Sequence, residues 1–470
     1  MDNPTATPYS LHDILTVASI HPFYRSDAQY PPDAERIKQI LEQQKDTNTP
    51  SLASVPLTYK KDLYKAIQRL STDRSRGNVY RHSSYISTTG GGSGGIPMAF
   101  LTDSTENRAQ RAHCGRLMRL CGVIEPGDWI VTVHTSGNLY RSLDLMAERM
   151  EYAGGSVLCA GHLMPHPELV QLFLEYRANV LCGDSSQILQ FALHVASLPA
   201  AMREALCIDK ILYTSEPLVR SQRNYLISVF GSVKICSAFA NAESGPWCVM
   251  NMAITGDKAD DAADFIFDTR TILVEVLSPS AVDESQTGAD PNDQTAVKEV
   301  HPLPDGETGS LVLTSLQRLR NPLVRYASGD VGALLPLPST HSIPAETAQH
   351  LKVLRLRGRD QRFSFKWQGN YFEFHFLREF MQREDLGVLQ WQLILSDDEA
   401  SHAHHCEVRI LRGTTDKPDD EVAKILERVF EVTPVNAPLF HVTFLGGTRG
   451  FERSATGNKV MRFVDRSTQG

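Results

Sequence analysis

The chain has no excess of positive charge: 47 Lys and Arg against 55 Asp and Glu leave a formal charge of −8. That argues against a general nucleic-acid or anionic-membrane surface, which would need a basic face. No apolar run reaches the ~18 residues expected of a membrane-spanning helix. The eight cysteines include no C-x-x-C pair, so they read as reduced, mostly buried thiols. No internal repeat is visible. The N-terminal stretch MDNPTATPYS lacks both the basic-then-apolar pattern of a signal peptide and the arginines of a transit peptide, and RSTQG carries no peroxisomal or prenylation motif. The expected location is the cytoplasm. What remains is an ordinary globular composition, 41% hydrophobic and 22% charged over 470 residues, a length that suggests roughly two to four domains.

Three apolar-periodic segments open the chain, PYSLHDILTVASI, PPDAERIKQILEQQ and TYKKDLYKAIQRL, and each predicts a helix. STENRAQRAHCGRLMRLCGV predicts a longer one, capped by Asp103 or Ser104 and ended by Gly122. Alternation follows. The short β-branched runs DWIVTVHT, SVLCAG, NVLCG, KILYTS and SVKICSAF are separated by helical stretches of about a dozen residues, the signature of parallel strands with crossover helices. From about Phe265 the texture becomes strand after strand, interrupted by the polar, turn-rich stretch 281–300. Beyond Gly358 a smaller unit is expected, with helices YFEFHFLREFM and DDEVAKILERVFE and strands LGVLQWQLILS and HCEVRILRG.

The densest glycine run, GGGSGG at 90–95, spells G-x-G-x-x-G. A dinucleotide fingerprint needs a helix opening on the last glycine and an acid some twenty residues later, but Ile96-Pro97-Met98 follows and Gly115 stands where the acid belongs. A Walker loop fails because no Gly-Lys-Ser/Thr follows. A plain flexible loop and a phosphate cradle remain. In the cradle, glycine amides turn toward phosphate oxygens and Ser93 adds a hydroxyl donor.

Further landmarks fall in a fixed order: YTSEPLVRSQ at 213–222, AFANAESGP at 238–246, RYASGDVGAL at 325–334, GRDQRFSFKWQGNYFEF at 358–374 and RSATGNKVMRFVDR at 453–466. The ordered set resembles the phenylacetate–CoA ligase-like branch of the adenylate-forming superfamily. The likeness is collinear from about Pro22 to Arg466 and begins with HPFYR and VPLTYKKDL. It implies an α/β fold with two parts. Residues 1–356 would form a large N-terminal adenylation domain of mixed β-sheets with flanking helices plus a β-rich subdomain. Residues 357–470 would form a small mobile α+β C-terminal domain.

The resemblance also implies residue roles. Gly91, Gly92, Ser93, Gly94 and Gly95 would hold the ATP phosphates. Ser215, Glu216 and Pro217, with Ala238, Phe239 and Ala240, would line the adenine pocket. Glu243 would hold Mg2+, Asp330 the ribose hydroxyls, and Arg359 the ribose or phosphate. Lys459 would reach the α-phosphate and the carboxylate during adenylation. His134, Gly137 and Tyr140, with Trp247, are candidates for the acyl pocket, whose aromatic neighbours suit an aryl or arylacetic acid. Asp360 is the hinge candidate. Lys459 and Asp330, as a cation and an acceptor-only carboxylate, suit the joining of two anions and the grip on a ribose diol.

The chain departs from that pattern in four places. Gly94 replaces a hydroxyl residue of the phosphate loop and Ile96 its lysine, leaving Arg81, Arg325 or Mg2+ to compensate. Phe239-Ala240 replaces a Tyr-Gly pair, Ala242 a hydroxyl residue, and Asp360-Gln361 an acidic hinge pair. The expected activity is ATP-dependent activation of a small carboxylic acid, followed by acyl transfer to coenzyme A by default. An amine or a carrier-protein thiol is the alternative acceptor, and a non-catalytic nucleotide-binding protein the alternative of another class. Neither nucleic acid nor membrane is an expected partner, and a homodimer is compatible with the reading. The cluster SHAHHC at 401–406 reads either as a zinc site or as a polar turn.

Overall fold

In the computed structural model, residues 8–44, 51–88, 99–137, 139–214, 218–256, 262–282, 300–339, 343–359, 364–368, 370–397, 404–454 and 459–466 are described. Helices open where the sequence supplies caps. Ser10 and Asp13 form a capping box at Leu11–Ala18, the Asp103 carboxylate accepts from the amides of Thr105 and Glu106 at Ser104–Leu120, and Asp184 and Gln187 cap Ser185–Ala196.

An antiparallel hairpin, β1 (Ser84–Thr88) and β2 (Ala99–Asp103), is followed by β3 (Trp129–Thr132) and a minimal hairpin, β4 (Ser136–Gly137) with β5 (Tyr140–Arg141). Then come β6 (Ser156–Cys159), β7 (Val180–Asp184), β8 (Lys210–Thr214) and β9 (Lys234–Asn241), with helices between consecutive strands. The antiparallel run is β10 (Gly245–Asn251), β11 (Ala263–Asp268), β12 (Ile272–Leu277), β13 (Gly309–Ser315), β14 (Tyr326–Pro336) and β15 (Leu351–Arg359). All of these except the two hairpins join one eleven-stranded sheet in the order β12-β13-β14-β15-β11-β10-β9-β8-β7-β3-β6. The β-rich stretch after Phe265 is thus continuous with the parallel strands.

The parallel part is covered on both faces, which is why β7 and β8 are buried at every position. On one face Val131, Leu181, Ile211 and Ile235 pack with Phe173 and Phe191 from helices His166–Tyr176 and Ser185–Ala196. On the other, Ile130, Val180, Cys182 and Leu212 pack with Cys114 and Met118 of Ser104–Leu120 and with Met146 and Met150 of Ser142–Ala153. Alternate residues of one strand therefore serve opposite cores. All eight cysteines are free, and six are buried.

Beyond Arg359 the hairpin β16 (Ser364–Trp367) with β17 (Asn370–Glu373) precedes a four-stranded sheet ordered β20-β19-β18-β21. Its strands are β18 (Val388–Asp397), β19 (His404–Arg412), β20 (Phe440–Leu445) and β21 (Phe463–Arg466). This sheet has its own core of Phe365, Trp367, Leu393, Ile410, Leu426 and Phe430. The stretch YFEFHFLREFM, expected to be wholly helical, begins as β17 and turns helical only at Phe374–Met381. Cross-strand pairing of Phe365 with Phe372, their rings stacked at 5.3 Å, overrides the helical pattern there. The small sheet rests on the large body: Ser221 Oγ donates to the Val388 carbonyl at 3.1 Å, the Gln222 amide donates to that of Leu389, and Leu389, Phe451 and Val460 pack against Leu193 and Tyr225.

No helix among the described residues is long and apolar enough to cross a membrane.

Candidate functional site

β3 pairs in parallel with β6 on one side and β7 on the other. The chain goes from β3 outward to β6 and then returns across β3 to β7, so the direction of winding reverses there. Open α/β sheets present their ligand crevice at such a reversal, beyond the carboxyl ends of the strands. His134 stands two residues past the end of β3.

His134 is 2% exposed. Its Nδ1 is 3.0 Å from Thr132 Oγ1 and 3.8 Å from Cys182 Sγ, and its Nε2 is 2.8 Å from Thr214 Oγ1 at the end of β8. Both nitrogens are engaged, so the ring offers a fixed surface. Burial lowers its pKa to about 3, helped by the positive charges of Lys459 and Arg149. The imidazole is therefore neutral at physiological pH. The unfolded chain takes up this proton near pH 6.5 and the folded chain only near 3, so stability drains as pH falls through that window, by up to ~1.4 kcal/mol per pH unit. His21, also buried with its pKa lowered to about 3, acts in the same direction. The expected result for His134→Gln is accordingly a difference: denaturant melts between pH 6.5 and 4 lose stability less steeply than in the parent. Parallel curves would show that His134 is not held neutral.

Lys459 lies far along the chain yet reaches this crevice. Its Nζ sits 5.8 Å from the centre of the Tyr140 ring, and its charge is felt at His134. The backbone that carries it is fixed by the Arg453–Val460 bridge, the Ser454 amide donating to the Lys459 carbonyl at 2.8 Å, and the Lys459 amide donating to Ser454 Oγ at 3.3 Å. Lys459, Tyr140 and His134 are thus brought together. Gly137, at φ +88°, is exposed in the same β4–β5 hairpin as Tyr140.

The glycine run 90–95 lies outside the described residues, but both its anchors are described. Thr88 pairs with Ala99 across β1 and β2. Thr88 Oγ1 donates to the Leu139 carbonyl at 2.9 Å, and Ser87 Oγ to the Ala242 carbonyl at 3.3 Å. The paired ends of β1 and β2 therefore lie between the Tyr140 hairpin and the turn that holds Glu243.

That turn joins β9 to β10. Glu243, 6% exposed, accepts a hydrogen bond from the Tyr64 hydroxyl at 2.8 Å, and the Lys60 ammonium is 3.6 Å from the same Oε1. Buried Arg318 donates to the Glu243 carbonyl, and Gln110 donates to that of Ser244 at 2.6 Å. Gly245 follows at φ +73°, where a Cβ would meet Gln110 Oε1 at 2.4 Å, so glycine is required for the turn to close against that scaffold. Lys60, Tyr64, Gln110 and Arg318 were not singled out from the sequence. Lys60 and Tyr64 lie one turn apart on Lys60–Thr72 and share a face with each other, the one signal that pointed to them.

Ala238 pairs with Thr214 across β8 and β9 and is buried. Phe239 faces the other core, 5.9 Å from the Trp247 ring and 5.8 Å from Phe265, and Ala240 is exposed. Trp247 is itself core, packed 5.5 Å from Phe267. Asp330, 5% exposed, lies within β14 and not in a turn; its amide donates to Ser328 Oγ at 3.1 Å, and its register partner on β15 is Arg359. Ser215, Glu216, Pro217 and Asp360 lie outside the described residues.

One compensating cation expected from the sequence, Arg325, is committed elsewhere. The Arg325 guanidinium is buried against Glu275 at 2.8 and 3.0 Å and donates to the carbonyls of Ala53, Val55 and Val300. Five bonds inside the fold leave nothing for a phosphate. Arg81 donates to the Ser71 carbonyl. In the histidine cluster, His404 Nδ1 is 2.5 Å from Asp397 and the His405 ring stacks on His441 at 6.1 Å. No group of three or more metal-ligating side chains occurs among the described residues.

No family model matches the chain, and no curated protein matches it. Solved structures do. 2-Hydroxyisobutyryl-CoA ligase in the postadenylation state, in complex with R3-HIB-AMP, superposes with a TM-score of 0.63 at 17% identity, over 97% of this chain and 88% of that one. The same ligase in the thioesterification state, with 2-HIB-AMP and CoA, gives 0.55 at 18% identity, over 97% and 89%. An ATP-bound RpMatB-BxBclM chimera gives 0.50 at 15% identity, over 85% and 71%. A buried parallel sheet with a reversal at β3, an antiparallel extension and a separate small sheet thus make up one known architecture, and the chain has the adenylate-forming fold.

Proposed function

We propose that the chain is an ATP-dependent carboxylate-activating ligase of the phenylacetate–CoA ligase-like branch. The observation that carries this reading is the meeting of Lys459 with Tyr140 and His134 at the sheet's crevice, from 319 residues away in sequence in the case of Tyr140. A carboxylate and a nucleotide α-phosphate repel each other, and a cation fixed where they meet lowers that cost. The better overlap with a postadenylation arrangement than with a thioesterification one supports the same placement.

In the first half-reaction a carboxylate oxygen attacks the α-phosphorus, the bond to the β-phosphate oxygen breaks, and acyl-adenylate and pyrophosphate form. Asp330 accepts the ribose hydroxyls, with Arg359 beside it in register. Ala238, Phe239, Ala240 and the 215–217 segment lie along the base. The 91–95 loop gives its amides to the phosphates. Glu243 suits Mg2+, because this ion takes one or two carboxylates and fills its remaining positions with phosphate oxygens and water; Mg2+ there would neutralise phosphate charge. Tyr64 and Lys60 hold the Glu243 carboxylate in place.

In the second half-reaction the small domain, 357–470, turns about Asp360 and withdraws Lys459, and the coenzyme A thiolate attacks the acyl carbonyl and expels AMP. Such a turn is a hinge motion. The Tyr140 ring beside Lys459 suits an aryl or arylacetic acid.

A library of carboxylic acids, screened for pyrophosphate release from ATP, tests the reading. The expected result is release of AMP and pyrophosphate only with particular acids, and thioester formation when coenzyme A is added. Amide formation with amines alone would change the acceptor. Tight ATP binding with no acid-dependent pyrophosphate would make the chain a non-catalytic nucleotide-binding protein.

A further inference from the structure

We propose that Lys60 receives the terminal phosphates of ATP, its ammonium shifting to them from the Glu243 carboxylate while Lys459 meets the α-phosphate at the other end. The proposal rests on the ligase reading above and adds a phosphate-binding residue to it.

Lys60 is the first residue of the helix Lys60–Thr72, whose N-cap, Tyr59, supplies no side-chain cap. A cation in the first turn opposes the helix dipole, so local preference does not explain the lysine. Its ammonium lies 3.6 Å from Glu243 Oε1, beyond hydrogen-bond length, and its side chain is 48% exposed. Tyr64 donates to the same oxygen at 2.8 Å from a buried position, and the backbone of the turn is held separately by Arg318 and Gln110. Lys60 is therefore the weaker of the two holds on the carboxylate, and half-exposed pairs of this length add little to stability. The Tyr64 ring, 5.4 Å from the ammonium, keeps the lysine stem over the turn.

The surroundings supply the need for such a charge. The triphosphate tail of ATP is a dense anion, yet the stretch 90–97 reads GGGSGGIP and holds no basic residue. Arg325 is locked to Glu275, and buried Arg318 to the Glu243 carbonyl. Lys60 differs from both in being exposed and in pairing at longer range. The turn it faces is tied to the end of β1, where Ser87 Oγ donates to the Ala242 carbonyl at 3.3 Å. A lysine ammonium is a compact charge on a flexible four-carbon stem, so it can pass from a carboxylate to a neighbouring phosphate oxygen without moving the helix. With Mg2+ proposed at Glu243, like-charge repulsion favours the same shift.

Nucleotide titrations of the full chain by calorimetry, with Mg2+ and without an acid, test this. Lys60→Met should weaken ATP binding by about 10–100-fold, the range of a hydrogen bond to a charged group. Binding of AMP, which lacks the terminal phosphates, should stay at the parent value. Lys60→Arg, which keeps the charge, should retain most of the ATP preference, and both variants should melt with the parent. A purely structural role, exerted through Glu243, predicts that Lys60→Met costs nothing further in a Glu243→Gln background, whereas the proposal expects the ATP loss to persist there. Equal loss of ATP and AMP binding, no loss of either, or disappearance of the effect in the Glu243→Gln background would overturn the proposal. A Lys60-dependent preference for ATP over AMP without acid-dependent pyrophosphate release would leave the phosphate site standing and remove the ligase reading. Acid-dependent pyrophosphate release by parent and Lys60→Met alike, with the same ratio of ATP to AMP affinity, would do the reverse.

Discussion

Replacing Lys459 with alanine is expected to lower acid-dependent pyrophosphate formation by about 10²–10³-fold, the cost of removing one preorganised charge-stabilising donor. Acyl transfer from a supplied acyl-adenylate should survive, because the α-phosphate has already been joined and the role proposed for the lysine is confined to the first step. The structure makes the substitution readable. The Lys459 backbone is held by Ser454 and by the Arg453–Val460 bridge, neither of which uses its side chain. Val460 beside it is anchored in a separate apolar cluster with Leu389 and Phe451. The variant should therefore fold, melt near the parent temperature and bind ATP with little change. Equal loss of both half-reactions would point to a structural defect, and unchanged adenylation would remove Lys459 from the site.

The second large effect is expected at Asp330. Its carboxylate sits on β14 opposite Arg359 in a nearly closed environment, and its amide is already satisfied by Ser328 Oγ. Alanine removes the acceptor and leaves the strand register intact. Two hydrogen bonds to a charged acceptor are worth about 1.5–3 kcal/mol each. ATP binding by Asp330→Ala should therefore weaken by roughly two orders of magnitude or more. Calorimetry with ATP and with its 2′,3′-dideoxy analogue separates the cause: the dideoxy nucleotide should bind parent and variant alike. A similar loss for both nucleotides would mean that Asp330 acts on the fold and not on the ribose.

Much of this architecture is legible in the chain because the signals are local. The apolar runs of β7 and β8, the helices between them and the Asp103 and Asp184 caps follow from periodicity and capping chemistry alone. β17 misleads because FEF reads as a helix start as well as a strand, and only its partner β16 decides between them. The commitment of Arg325 is illegible for a related reason. Its carboxylate, Glu275, lies fifty residues upstream on a neighbouring part of the sheet, and three carbonyls from other segments complete its shell. Candidate site residues come from their order along the chain, which offers Lys459, Glu243 and Asp330 as candidates but does not say what surrounds them. Tyr64, Lys60 and Arg318 around Glu243 become visible only once strands and helices are packed.

Residues from four distant parts of the chain are proposed to share one nucleotide, and a crystal structure with a non-hydrolysable ATP analogue tests that most directly. The ribose should lie against Asp330, the β- and γ-phosphates between Glu243 and the 90–97 loop, and the α-phosphate within reach of Lys459 beside Tyr140. A nucleotide bound away from the crevice at the ends of β3 and β7, or one whose ribose leaves Asp330 untouched, would contradict it.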